Sequence, residues 1–356
     1  MLKYVIPAFI VVFFLTYFFI GEDFQSVEYF QQNWHWSKVE HYGIQEDERF
    51  KFSPQRALNA YKTKSGLYLF GINKEVSISS DYLIEVPLKG NGFYLYKKVG
   101  DTVSYFSEAG EILWEKPYQS YPRASYSGKL VLFLSGDQNR VLLSDINGNG
   151  IGVKEVNGRF LVDYSFSIDS QDALLVFAGG EIYYINSQGE IVYSTTETNT
   201  SSKFFQKSSC LSPNGKRAAV HYTKKDTDFI KILDEQGKRI ATVKLKKIYP
   251  HKIYMTISDD GLLLINTPDD IYLYNKDEKI TEFNKAQHEQ IYQVAYYSGS
   301  YFLASYKNIL VFFDREGNLV KKKELHSYPF RIIPTETKNV LFVETLRNIV
   351  SFQLIQ

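Results

Sequence analysis

The sequence predicts an all-β protein: a seven-bladed β-propeller, with six or eight blades as alternatives, after a single N-terminal transmembrane helix. Two observations predict the propeller. Beyond residue 21, short runs rich in Tyr, Phe, Ile, Leu and Val alternate with clusters of Gly, Asn, Asp and Ser, and helical periodicity almost disappears. A similar turn also recurs about every 41 residues, the spacing of blades with four strands each.

The recurring turn joins two apolar runs and begins with Asp, Asn or Ser. It occupies residues 107–110, 145–148, 186–189, 234–237, 275–278 and 314–317. The first side chain can bond the backbone two residues on, and the fourth position is Gly in five of the six turns, where a positive φ is needed. Glu278 replaces that glycine, so its turn must differ locally or carry strain.

A second hairpin signal recurs within the same repeats, as in CLSPNGKRAAVHY and TISDDGLLLINT. With these motifs the chain resembles WD40-like, TolB-like and quinoprotein-like (PQQ-like) propellers over roughly residues 65–356, and EAGEILWEKP with Trp114 resembles the quinoprotein type in particular. The resemblance implies strand and turn geometry rather than an activity. Quinoprotein enzymes use adjacent cysteines near their cofactor, and Cys210 is the only cysteine in this chain.

Blade count follows from the repeat starts near Tyr82, Tyr121, Phe160, Lys203, Tyr249 and His288. The remaining residues, 328–356, supply three strands. A propeller must close its ring, so we expect the missing outer strand within residues 66–79, which gives seven blades. The predicted domains are a cytoplasmic tip and anchor at 1–21, a juxtamembrane stalk at 22–64 and the propeller at 65–356.

The N-terminal segment predicts a membrane anchor. Tyr4 to Ile20 is uncharged and strongly apolar, and about 17–20 such residues suffice to cross a bilayer. It lacks the small residues of a signal-peptide cleavage site, and no cysteine follows it for lipoprotein processing. Lys3 precedes it and acidic residues follow, so the positive-inside rule predicts a single-pass protein of the inner (cytoplasmic) membrane. The N-terminus would be cytoplasmic and the propeller periplasmic or outside.

The stretch SDINGNGIGVKEV resembles a calcium loop in its first half. Asp145, Asn147 and Asn149 stand where oxygen ligands are needed, and they are weak metal candidates. The twelfth position is Val156, however, and Glu155 falls one residue short, so in a strand its carboxylate points to the other face. The stretch is also in phase with the repeat. We therefore predict an outer turn lengthened by two residues, and no metal site.

Tyr-Pro pairs predict a contact surface. They stand where an outer strand hands over to the next blade, and proline is also natural at a strand start. A propeller chain path places all these handovers on one face near the channel mouth, and Tyr and Arg are enriched in binding hot spots. The candidate partner-binding residues are Tyr121, Arg123, Tyr249, His251, His288, Tyr328 and Arg331. The excursion TKKDTD at 223–228 is a second candidate contact loop.

Composition and motifs disfavour several functions. The net charge of +1 argues against a nucleic-acid surface, and no spacing typical of histidine metal sites, nucleophile elbows or phosphate loops occurs. We predict no catalytic residues and no cofactor. The leading hypothesis is a non-catalytic, membrane-anchored scaffold or assembly factor with envelope protein partners. The alternatives are a receptor for a small ligand or glycan at the channel mouth, and a metal-dependent hydrolase with a channel-centred site.

Overall fold

The computed structural model describes residues 29–37, 43–45, 60–63, 66–70, 72, 74–87, 89, 92–196, 204–285, 295–334 and 340–355. Within these ranges the chain forms strands and turns, and no helix is long and apolar enough to cross a membrane. The predicted anchor from Tyr4 to Ile20 and the candidate contact residue His288 lie outside the described residues.

The described strands form eight sheets, each one blade of a propeller. The described strands begin with β1 (Tyr29–Ser37) and β2 (Gly43–Gln45). Blade 1 contains β3 (Ala60–Lys62), β4 (Gly66–Leu69) and β5 (Lys74–Ser77); blade 2 contains β6 (Tyr82–Glu85), β7 (Gly92–Lys97), β8 (Val103–Ser107) and β9 (Ile112–Lys116). Blade 3 contains β10 (Ser120–Ala124), β11 (Val131–Ser135), β12 (Arg140–Ser144) and β13 (Gly150–Asn157).

The same antiparallel order continues around the ring. Blade 4 contains β14 (Leu161–Phe166), β15 (Ala173–Phe177), β16 (Glu181–Ile185) and β17 (Ile191–Thr196); blade 5 contains β18 (Phe204–Leu211), β19 (Ala218–Lys224), β20 (Thr227–Leu233) and β21 (Arg239–Lys244). Blade 6 contains β22 (Tyr254–Ile257), β23 (Leu262–Asn266), β24 (Asp270–Asn275) and β25 (Glu278–Asn284). Blade 7 contains β26 (Ala295–Tyr297), β27 (Phe302–Tyr306), β28 (Ile309–Phe313) and β29 (Leu319–Glu324).

Blade 8 closes the ring by pairing the two ends of the described chain. It contains β30 (Pro329–Pro334), β31 (Val340–Thr345) and β32 (Asn348–Ile355), and β32 pairs antiparallel with β1, which pairs in turn with β2. The prediction of seven blades closed from residues 66–79 is therefore wrong. That segment instead supplies β4 and β5 of blade 1, and the closing strand comes from residues 29–37, within the range expected to be a stalk.

Apolar packing between neighbouring blades holds the ring together. Among the described residues, eight hydrophobic clusters occur, one between each adjacent pair of blades. The second strand of a blade is covered on both faces, so it is apolar without alternation, as in Ala173–Phe177 (ALLVF) and Leu262–Asn266 (LLLIN). Trp36 of β1 fills the cluster between blades 8 and 1, against the rings of Tyr61, Tyr68 and Phe70.

The predicted turn chemistry is confirmed in most repeats. Gly110, Gly148, Gly189, Gly237 and Gly317 all have positive φ. The turn before Glu278 differs, as expected: Asn275 pairs directly with Glu278, and Lys276 adopts the positive φ in a two-residue turn. Glu278 is therefore the first residue of β25 and needs no glycine.

Candidate functional site

The chain path gives the propeller two distinct faces. Each innermost strand starts on the face that carries the links between blades and the hairpins joining second to third strands, which we call the handover face. Ser120 pairs with Ser135 and Phe204 with Lys224, so both kinds of loop lie at this end of their sheets. The opposite face carries the turns between third and fourth strands, and we call it the turn face. Tyr121, His251 and Tyr328 all lie on or next to handover loops.

Tyr121 and Arg123 hold blade 3 to blade 2 at the channel. The Tyr121 hydroxyl donates to the Lys98 carbonyl at 2.7 Å, and the Arg123 Nη1 donates to the Tyr96 hydroxyl at 2.9 Å. The same guanidinium lies 3.6 Å from the Glu85 carboxylate. Both candidate side chains are half-buried, so part of each is used in joining blades while the rest stays accessible.

Glu85 is the charged partner in this group. Burial raises the pKa of its carboxyl, and the nearby Arg123 guanidinium and the Ala124 amide lower it again, without fully offsetting the effect of burial. The Arg331 charge on blade 8 also lowers this pKa, so Glu85 of blade 2 interacts electrostatically with residues of both blade 3 and blade 8. Tyr164 of blade 4 interacts with Arg123 as well. The cluster is thus polar, charged and shared among blades.

Tyr249 is a buried structural residue. Only 3% of it is exposed, and its ring belongs to the cluster between blades 5 and 6. Its amide donates to Asp228 Oδ2 at 2.8 Å, and its carbonyl accepts from Lys207. The Tyr249 side chain therefore cannot reach a partner from this position, and its backbone instead anchors the link into blade 6.

Asp228 is the centre of the most heavily bonded polar cluster in blade 5. Its carboxylate accepts from Lys207 Nζ at 2.8 and 2.9 Å and from the Thr223 hydroxyl, and it lies 2.9 Å from His221 Nε2. Burial would raise the Asp228 pKa, but these hydrogen bonds outweigh it and hold the pKa well below its usual value. Burial lowers the pKa of His221, although Asp228 opposes it, so the imidazole is neutral at pH 7.

The three remaining described candidates are all exposed to solvent. His251 and Arg331 are exposed, and 39% of Tyr328 is exposed. Arg331 stands opposite Glu344 in the pairing of β30 with β31, and the Leu346 amide donates to the Tyr328 carbonyl. These three residues are presented to solvent on the handover face.

The stretch at Asp145 is a turn whose polar groups satisfy one another. Asp145 Oδ1 accepts from the Asn149 amide at 2.8 Å, as Asp314 does from Asn318 at 2.7 Å in blade 7. Lys116 Nζ donates to the Asn147 carbonyl at 3.1 Å, so a cation of the chain already lies on this loop. Within the described residues, no three His, Cys, Asp or Glu side chains are placed to hold a metal.

The two extra residues predicted for this turn lie in the following strand. Ser144 pairs with Gly150 just as Phe313 pairs with Leu319, so the turns have equal length. The extra residues form a bulge in β13, with positive φ at Gly152 and Lys154. The Val153 amide donates to the Gly189 carbonyl at 3.0 Å, so the bulge docks on the outer turn of blade 4.

The channel contains a cavity of about 310 Å³ that is lined by residues of blades 4, 5, 6 and 7. Its lining mixes aromatic, aliphatic and polar residues and includes Tyr164, Phe166, Cys210, Lys252, Tyr254 and Tyr296. Lys252 Nζ lies 2.6 Å from Asp163 Oδ1, which places one ion pair beside the cavity. Burial raises the pKa of the Cys210 thiol to about 12, so it is protonated at neutral pH and unsuited to nucleophilic attack.

Sequence reasoning missed the residues that complete these groups. Glu85 precedes Arg123 by 38 residues and Tyr96 precedes it by 27, and Lys207 precedes Tyr249 by 42, so only the stacking of blades brings them together. The signal available in the sequence was a carboxylate, Glu85, in the innermost strand of a repeat. Such a strand faces the channel, where an unpaired charge is costly.

Fold and site together define a β-propeller whose handover face carries a polar and aromatic channel mouth. Among solved structures, BamB from Moraxella catarrhalis is similar: the TM-score is 0.56 at 12% identity, and the match covers 92% of this chain and 100% of that one. At this identity the likeness shows the fold alone. No protein-family model matches the chain, and no curated protein matches it either.

Proposed function

We propose that this protein is a membrane-anchored, non-catalytic propeller that binds protein partners in the cell envelope as a scaffold or assembly factor. The observation that carries the proposal is the handover face: a rigid ring presents His251, Tyr328 and Arg331 to solvent there. Arg and Tyr are the residue types that dominate binding energies at protein interfaces. A propeller that resembles BamB is compatible with such a role.

The direction of β1 supports an orientation for the disc. Tyr29 pairs with Ile355 on the turn face, and Ser37 pairs with Asn348 on the handover face. The described chain therefore begins on the turn face. If Tyr4 to Ile20 spans the inner membrane, residues 21–28 can bridge at most about 28 Å. The turn face would then lie toward the membrane, and the handover face would point away from it to meet partners.

Partner capture from membranes tests this proposal. The full-length protein would be extracted in mild detergent after light crosslinking, and the wild type compared with Tyr328→Ala/Arg331→Ala. We expect specific envelope proteins to be recovered with the wild type and reduced at least fivefold with the variant. The turn-face variant Leu319→Ala/Arg239→Ala, which removes an exposed leucine and an exposed arginine, is the matched control and should retain them. Equal recovery from all three proteins would contradict the proposal.

A second candidate function, reception of a small ligand, is favoured by the channel cavity. A volume of about 310 Å³ with several aromatic side chains in its lining is at the lower end of small-molecule sites, about 300–1,000 Å³. A ligand that binds the folded state raises thermal stability. A screen of aromatic carboxylates and oligosaccharides by thermal shift tests it: a shift abolished by Tyr254→Ala would support a receptor, and no shift with any compound would argue against one.

A further inference from the structure

Blade 1 has one strand fewer than the blades that follow it. Within the described residues it contains β3, β4 and β5, whereas blades 2 to 7 each contain four strands and blade 8 contains five. β5 is therefore the outer edge of its sheet, and no described strand pairs with its far side. Since alternate residues of an antiparallel strand point their N–H and C=O groups away from the partner, two of the four residues from Lys74 to Ser77 present both groups outward.

In other blades the fourth strand supports the outer turn of the blade that follows. In four of these turns, a Cβ added at the turn glycine would lie within 3.0 Å of that strand. The contacts are Gly148 with Trp114, Gly189 with Ile151, Gly237 with Tyr193, and Gly317 with Ile280. A Cβ added at Gly110, in the outer turn of blade 2, would instead meet nothing within 4 Å. Among the described residues, therefore, no side chain or backbone fills the fourth-strand position of blade 1 beside this turn.

An apolar side chain faces the same open position. Ile112 begins β9 and pairs with Phe106, whose ring packs on the cluster between blades 1 and 2, so Ile112 lies on the face toward blade 1. It is 61% exposed. The matching first residues of the fourth strands in blades 4 and 7, Ile191 and Leu319, are 36% and 41% exposed. Both of these face a blade with four strands, which accounts for the difference.

The turn beside the open position carries negative charge. Glu111 is exposed and Glu108 is half-buried, and neither makes an ion pair within the described residues. In the matching place between blades 2 and 3, Lys116 Nζ donates to a carbonyl of the outer turn of blade 3 at 3.1 Å, two residues along β9 from Trp114. An apolar residue followed two positions later by Lys or Arg would therefore complement the acidic turn of blade 2.

From these observations we infer that the outer edge of blade 1 binds an extended segment of a protein partner, which joins the sheet as its fourth strand. The segment pairs with β5 and carries an aromatic or aliphatic residue against Ile112 and a Lys or Arg, two residues later, against Glu108 and Glu111. Unpaired N–H and C=O groups at strand spacing are satisfied by another extended chain, and strand addition is a recurring mode of peptide recognition. The inference rests on the proposed protein-binding role and adds a contact outside the handover face.

Site-specific photocrosslinking of the full-length protein in cells tests the inference. A photoreactive phenylalanine analogue would replace Ile112, and Leu319, at the matching position of blade 7, is the control. We expect position 112 to crosslink one segment of another protein that contains an apolar residue and a Lys or Arg two residues later, and position 319 to yield none of that segment. In the isolated complex, amide hydrogen exchange of residues 74–77 should be at least tenfold slower than in the free protein, because the edge is then paired.

Charge reversal provides a second test. Glu108→Lys/Glu111→Lys should reduce the crosslink yield at position 112 at least fivefold, because the basic residue of the partner then meets like charge. Glu190→Lys/Glu235→Lys, in the outer turns of blades 4 and 5, is the matched control and should leave the yield unchanged. Thermal unfolding would establish that both variants are folded.

Several outcomes would overturn the inference. They are adducts confined to residues 46–59 of the same chain or to a second copy of it, adducts to lipid or polysaccharide, no adduct at 112, a yield insensitive to the charge reversal, and unchanged exchange at 74–77. Any of these with partner capture through Tyr328 and Arg331 intact would leave the proposed function standing, because those residues lie on blade 8.

Discussion

At the scale of single residues, Asp228 shows how one buried charge organises a blade. It is fully buried, yet four groups from three chain segments donate to it or lie within hydrogen-bond distance. A buried carboxylate is tolerated only when its partners satisfy it, and removal of one partner leaves the others uncompensated. The stability of blade 5 and of its link to blade 6 therefore depends on this side chain.

Replacement of Asp228 by Asn should be strongly destabilising. The variant keeps the shape but loses the charge that Lys207 requires, so we expect the free energy of unfolding to fall by about 3–5 kcal/mol. Asp226→Asn in the exposed two-residue turn between β19 and β20 is the control and should change it by less than about 0.5 kcal/mol. Denaturant unfolding of both variants measures this; an equal, small effect would show that the Asp228 cluster is not stabilising.

Stability should fall as the pH drops from about 7 to 5, because burial lowers the pKa of His221 in the folded protein. As the pH falls, the histidine of the unfolded chain takes up a proton near pH 6.5, before the folded His221 does, so the free energy of unfolding decreases by up to about 1.36 kcal/mol per pH unit. Asp228 adds no pH dependence in this range. Because its pKa is lowered in the folded protein, its contribution to stability is lost only below about pH 4. The free energy of unfolding should depend less on pH between 7 and 5 in His221→Gln than in His326→Gln. The same pH dependence in both variants would refute the assignment to His221.

At the scale of structural elements, turns and bulges connect the blades as well as the strands within them. The bulge in β13 brings Gly152 against blade 4, where an added Cβ would lie 2.0 Å from the Gly189 carbonyl oxygen. Lys116 and Trp114 of blade 2 similarly donate to the outer turn of blade 3. Outer turns that read as local motifs in the sequence thus also act as contacts between neighbouring blades.

Gly152→Ala should lower the free energy of unfolding by about 1–3 kcal/mol, because the methyl group cannot be accommodated without moving the Gly189 turn. Gly136→Ala is the matched control: it lies in a hairpin of the same blade, and an added Cβ meets nothing within 4 Å. Thermal and denaturant unfolding would compare the two. Equal effects would show that the contact between β13 and blade 4 does not contribute.

How far the sequence predicts these elements depends on how local their signals are. The six repeats from Tyr82 onward were predictable because each contains its own outer turn, with glycine at the fourth position in five of the six. Blade 1 was not, since its described strands have three or four residues and no outer turn of that type. The closing strand YFQQNWHWS is polar and pairs with β32 at the far end of the chain, which no local pattern indicates. The partners of Arg123 were hidden for the same reason.

At the scale of the whole molecule, closure of the ring depends on β1. Trp36 is 1% exposed and packs on three aromatic rings of blade 1, so it joins the first and last blades. The last blade is completed by β1, so the ring can open only if β1 separates from β32. This rigidity keeps the loops of the handover face in fixed positions relative to one another.

Trp36→Ala should therefore reduce stability by about 3–5 kcal/mol, the usual cost of truncating a buried aromatic residue. Tyr328→Ala, at a partly exposed ring, should cost less than about 1 kcal/mol. Denaturant unfolding and limited proteolysis near residues 29–37 would detect the difference. Unchanged stability in Trp36→Ala would mean that β1 does not hold the ring closed.

The handover face is the surface proposed to bind protein partners. Photocrosslinking in cells tests this binding, with the photoreactive residue at Tyr328 on the handover face, 39% exposed, or at Ile240 on the turn face, 38% exposed. We predict protein adducts from position 328 and few from position 240. Adducts confined to position 240, or none from either position, would contradict the proposal.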